Sequence, residues 1–69
     1  MALRTKILEY LKRKPSDFLT LNKDLDIVTS ELADEINNLV KAGYITRKND
    51  LFYITDRAKE YLKVEESET

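Results

Sequence analysis

The sequence has no cysteine and no histidine, and its 69 residues include only one glycine, Gly43, and one proline, Pro15. Without cysteine there is neither a disulfide framework nor a thiolate metal site, so a small fold must hold by packing, alone or with a partner. Without histidine the chain lacks the side chain that exchanges protons near neutral pH and is the commonest metal ligand. One glycine cannot build a glycine-rich phosphate loop, and nothing reads as a carboxylate cluster for two metals. Enzymatic chemistry, a metal site and a cofactor are therefore not expected, and a domain of this size leaves little room for a pocket of about 300 Å³. No apolar run approaches the roughly 20 residues of a membrane span. Charges are scattered through residues 1–15, unlike a signal peptide. We expect a soluble, cytoplasmic protein with no membrane partner.

A strong excess of one charge is also missing. The net charge is -1, short of the basic balance usual in non-specific nucleic-acid binders. Near-neutrality hides alternating blocks. Residues 1–14 carry five basic and one acidic side chain, 15–43 two basic and six acidic, 44–63 five basic and three acidic, and 64–69 three acidic. With 42% apolar and 36% charged residues the chain is globular. Its length fits one domain that buries about 60% of the surface its unfolded chain exposes.

Leu3, Ile7, Leu8 and Leu11 recur at helical spacing with charges between them, which predicts an amphipathic first helix. Lys12, Arg13 and Lys14 suit the negative end of its dipole, and Pro15 stops it. Residues 18–20, Phe-Leu-Thr, are β-prone and predict a short strand, followed by about one and a half helical turns over 21–25. Asp26, Ile27 and Val28 then form a tight corner without glycine. A longer helix is predicted over 29–42, with Leu32, Ile36, Leu39 and Val40 as its apolar stripe and Gly43 in the left-handed position that ends it.

The β-branched and aromatic pieces on either side of Asn49 and Asp50 predict a hairpin. A two-residue turn pairs Lys48 with Leu51, Arg47 with Phe52, Thr46 with Tyr53 and Ile45 with Ile54, placing Ile45, Phe52 and Ile54 on one face. A looser three-residue turn is the alternative. Thr55 is a good N-cap for a last helix in which Ala58, Tyr61 and Leu62 share a face. The domain is read as 1–64, and 65–69 as a disordered acidic tail.

This order of elements, and within it "ELADEINNLVKAGYITR" followed by "FYITDRAKEYL", resembles the winged helix-turn-helix family, in its small prokaryotic, archaeal or viral regulators, from residue 3 to about 64. In that family the recognition helix ends in a Leu-x-x-Leu-like pair, then glycine, an apolar residue and Ile or Val. Here those are Ile36, Leu39, Gly43, Tyr44 and Ile45. The second wing strand ends in an apolar-Thr step, as Ile54 and Thr55 do. The resemblance implies an α+β, mostly α fold with a three-helix core, a two-strand wing hairpin and a C-terminal helix. It also implies a small DNA-binding transcriptional regulator, its third helix (about 29–42) in the major groove of double-stranded DNA and its wing (44–54) on the backbone or minor groove. The family includes domains that bind only proteins, so a protein-interaction module without DNA binding is the alternative.

The outward positions of the third helix are Thr29, Ser30, Ala33, Asp34, Asn37, Asn38 and Lys41, flanked by Glu31 and Glu35. Candidate DNA contacts are Thr29, Ser30, Asn37, Asn38 and Lys41 on this helix, and Arg47, Lys48 and Asn49 on the wing. A carboxamide pairs with adenine, a hydroxyl bonds base or phosphate, and cations meet phosphate. Glu31, Asp34 and Glu35 oppose this by repelling a polyanion, although acidic residues also suit the start of any helix. Arg47 and Lys48 equally suit a hairpin that must avoid edge-to-edge pairing. With Lys6 and Lys41 the footprint reaches about four or five phosphates, modest for a monomer, so a homodimer is expected. Tyr10, Tyr44, Tyr53 and Tyr61 read as partly buried rings with wet hydroxyls. Leu51 and Tyr53 point off the core face and are expected to form an exposed apolar patch open to a protein partner or a second copy.

Overall fold

The stripe of Leu3, Ile7, Leu8 and Leu11 becomes one face of α1 (Leu3–Arg13) in the computed structural model, which describes residues 2–67. Ile7, Leu8 and Leu11 are enclosed, and Thr5 joins them inside. Lys14 is already extended, with φ -157°, as a residue before proline must be.

Residues 18–20 do not form the expected strand. They are the first turn of α2 (Phe18–Leu25), because Asp17 Oδ1 accepts the Thr20 amide at 2.8 Å and satisfies a free donor of the helix start. β-propensity measures fit to a pleated surface more than a backbone preference, and here a cap outweighs it. The Thr20 side chain, and after it the Thr20 amide, hold the Asp17 carboxyl below its usual pKa by hydrogen bonding to it. The extended position falls instead on Ser16, which makes a single antiparallel bridge to Phe52 through the Phe52 amide and the Ser16 carbonyl at 2.8 Å.

Asp26 ends α2 in the left-handed region, with φ 52°, a conformation its short polar side chain tolerates. Asn22 Nδ2 donates to the Ile27 carbonyl at 2.7 Å and so braces the glycine-free corner into α3 (Thr29–Lys41). Leu32, Ile36 and Leu39 form the buried edge of α3. Val40, expected on that edge, is 43% exposed: it sits about 100° around the helix from Leu39, past the limit of the buried stripe.

The end of α3 is a Schellman motif. The Tyr44 amide donates to the Leu39 carbonyl at 2.9 Å and the Gly43 amide to the Val40 carbonyl at 3.1 Å, with Gly43 at φ 81°. β1 (Ile45–Lys48) and β2 (Leu51–Ile54) then pair antiparallel in the register of the two-residue turn, Ile45 opposite Ile54 and Lys48 opposite Leu51. Asn49 and Asp50 have φ 50° and 67°, the signs that a type I′ turn requires at both central residues. Ile45 and Phe52 are buried, and Ile54 packs against them at the edge of the core.

Ala58 and Leu62 anchor α4 (Asp56–Ser67), with Tyr61 half-buried beside them. The helix continues to Ser67, into the stretch read as a disordered tail, since Glu65 and Glu66 are good helix formers and no breaker precedes them. Residues 68–69 lie outside the described residues. The fold is α+β and mostly helical, four helices and a two-strand hairpin among the described residues, in a winged-helix-like layout.

Gly43→Ala tests the Schellman corner. A Cβ there meets only Arg57 Cδ, at 3.7 Å, so the cost is backbone strain at positive φ, about 1 kcal/mol. In a domain of this size that lowers Tm by roughly 4–8 °C. Thermal unfolding followed by circular dichroism measures it, and an unchanged Tm would refute the assignment.

Candidate nucleic-acid interface

Every polar residue expected on the outer face of α3 is exposed: Thr29, Ser30, Asn37, Asn38 and Lys41. Charge along that face is uneven. Its first half displays Glu31 and Asp34, and its second half the two carboxamides and Lys41. The wing extends the second half, with Arg47 and Lys48 exposed at the end of β1 and Asn49 exposed in the turn. The hairpin's tight turn decides this, because it ends β1 on its two cations.

The start of α2, the middle of α3 and the wing enclose an open cleft of about 480 Å³. The volume exceeds what a chain this short was expected to hold, because the space lies between elements and takes nothing from the core. Phe18, Leu19, Ala33, Ile36 and Phe52 supply its apolar walls, and Asp17, Asn37, Arg47 and Asp50 its polar rim. Of the expected contacts, Asn37 and Arg47 are brought together here, while Thr29, Ser30, Asn38, Lys41, Lys48 and Asn49 lie outside the cleft. Arg47 Nη2 sits 2.7 Å from Asp50 Oδ1, and the two side chains are 63% and 82% exposed. A pair this wet contributes little and exchanges easily, so Arg47 can leave Asp50 for a phosphate at small cost.

Glu35 does not join the acidic outer face. Its Oε2 accepts from Arg4 Nε at 2.9 Å, and its side chain is 17% exposed. The hydrogen bond to this carboxylate raises the Arg4 pKa. Arg4 continues onto Tyr44: its guanidinium lies 5.6 Å from the ring centroid, Arg57 lies 5.4 Å from it, and Tyr61 stacks at a tilt with centroids 5.5 Å apart. Sequence reading missed this cluster because its members are far apart in the chain and none belongs to a local motif. Leu51 and Tyr53 are half-buried and do not make the exposed patch expected of them. The large apolar side chains that do stand in water are Leu19, Val28, Val40 and Val64, with Leu19 at 77%.

Glu35→Ala leaves Arg4 without its partner. Charged hydrogen bonds contribute about 1.5–3 kcal/mol, and discounting for the 37% exposure of the Arg4 side chain leaves a loss of about 1 kcal/mol. Urea unfolding should show a lower midpoint, with a gap to the parent that narrows in high salt. Equal midpoints would mean that the pair contributes nothing.

No helix among the described residues is long and apolar enough to cross a membrane. Comparison of the chain with protein-family models, with curated proteins and with solved structures finds no match.

Proposed function

We propose that the protein binds double-stranded DNA as a transcriptional regulator, with α3 in the major groove and the wing on the backbone. One observation carries this reading: the carboxamides of Asn37 and Asn38 and the cations of Lys41, Arg47 and Lys48 are exposed along the second half of α3 and the adjoining wing. Carboxamides read base edges and cations hold phosphates, so the two kinds of contact occur side by side as a duplex needs them.

Charge sets the docking pose. Glu31 and Asp34 at the start of α3 disfavour entry led by that end, because each faces phosphate repulsion. The second half of the helix therefore leads, with the wing on the flanking strand, and Thr29 and Ser30 contact the backbone from the far end as neutral hydroxyls. Drawing Glu35 back to Arg4 removes a third carboxylate from this side. Two copies on one duplex fit the reading, since three cations per chain give modest affinity at physiological salt. A protein-interaction module is the second reading, favoured by Leu19, 77% exposed beside the acidic residues of the cleft.

Fluorescence anisotropy with a labelled duplex tests the first reading. Three phosphate contacts per chain predict a log-log salt slope of about -3. Asp50→Gly should raise affinity roughly fivefold at low salt, because it removes one negative charge beside phosphate and frees Arg47. It also creates Asn-Gly, the preferred type I′ turn, so the hairpin should not lose stability. No binding at low salt would refute the proposal and turn attention to protein partners.

A further inference from the structure

We propose that the cleft between α2, α3 and the wing seats the 5-methyl group of a thymine while Asn37 reads the paired adenine, so that the protein prefers an A·T pair at that position. This rests on the DNA-binding reading above and adds what is recognised. Asn37 lies on the rim, exposed, and its carboxamide makes no hydrogen bond within the described residues. A free carboxamide presents one acceptor and two donors, the pattern that pairs bidentately with adenine N6 and N7.

The apolar half of the site stands one helical turn away. Ala33 precedes Asn37 by four residues and lines the same cleft. Residues at that spacing have Cβ atoms about 5–6 Å apart, so one helix face offers an amide and a methyl side by side. The major-groove edge of an A·T pair offers the complement, with adenine's donor and acceptor at one end and thymine's methyl at the other. Leu19 closes the opposite wall. It is 77% exposed, a large apolar side chain held in water beside a helix that faces the groove, and a thymine methyl gives it an apolar neighbour.

The charged rim offers guanine no dedicated bidentate partner. Guanine's groove edge carries two acceptors and is read best by a bidentate arginine, whereas Arg47 goes to phosphate in the docking pose above. Asp17, whose carboxylate holds the Thr20 amide at 2.8 Å, and Asp50 add only acceptors to the rim. Thymine's methyl asks nothing of either carboxylate.

Selection from randomised duplexes, followed by anisotropy on the selected site, tests this. The expected result is an enriched A·T position at which replacing thymine by deoxyuridine, which deletes only the methyl, weakens binding about fourfold. Asn37→Ala should lower the preference for A·T over G·C there about tenfold or more. Leu19→Ser, at an exposed position and checked for native circular dichroism, should abolish the thymine-over-uracil difference. DNA binding with no A·T position and equal affinity for thymine and uracil duplexes would overturn this inference and leave the DNA-binding reading standing. No duplex binding at low salt would remove both. A change in sedimentation of Leu19→Ser without DNA would assign the cleft to contact between copies and overturn the thymine site.

Discussion

Thr55 holds the molecule's working geometry. Its hydroxyl donates to the Gly43 carbonyl at 2.6 Å, and its amide donates to the Tyr44 carbonyl at 3.1 Å. Four elements end or begin around these three residues: α3 stops two residues before Gly43, β1 starts just after Tyr44, β2 stops just before Thr55, and α4 starts just after it. Both carbonyls belong to residues that follow the helix end, so the tie gives these acceptors partners that α3 itself cannot supply. Because the wing is fastened at both of its roots to the end of α3, the cations on β1 keep their place beside the second half of that helix. The cleft exists for the same reason.

The rest of the fold supports that tie with little material. Side chains of α1, α2, α3, α4 and the hairpin meet in one core, and Leu8, Leu11, Leu21, Leu32, Leu39 and Leu62 are enclosed within it. A chain without cysteine has no disulfide to reinforce it, so helix ends and corners carry unusual weight. Several have their own device: Asp17 caps α2, Asp26 turns left-handed after it, Asn22 braces the following corner, and Asn49 and Asp50 turn the hairpin. Short polar side chains take every one of these places, which explains how the chain manages with a single glycine.

Acidic content shapes the candidate interface more than net charge does. The carboxylates near the interface fall into two groups with different consequences. Asp17, Glu35 and Asp50 each have a donor within the protein, whereas Glu31 and Asp34 stand exposed on the first half of α3. Repulsion from a polyanion therefore concentrates at one end of the helix and leaves the carboxamides and Lys41 at the other. A face divided in this way has a direction, acidic at the start of α3 and neutral to basic at its end.

Much of this was legible in the sequence because it depends on near neighbours. Periodicity located α1, α3 and α4, Gly43 located the end of α3, and alternation favoured the hairpin register of a two-residue turn over a looser one, since each is set by spacings of a few residues. The outer face of α3 and the exposed wing cations followed from the same periods. The first turn of α2 was misread where a single cap at Asp17 overrode β-propensity, and α4 outlasted its apolar stripe because helix formers need no core contact to continue. What the sequence by itself determined is the place of α1, α3, the hairpin and α4 and most of the faces they show to water. Only the tertiary structure decided that Arg4 withdraws Glu35 from the outer face across 31 residues of chain, and that α2, α3 and the wing leave a cleft between them. Those are contacts between side chains whose separation is set by packing, and no local pattern in the chain encodes that distance.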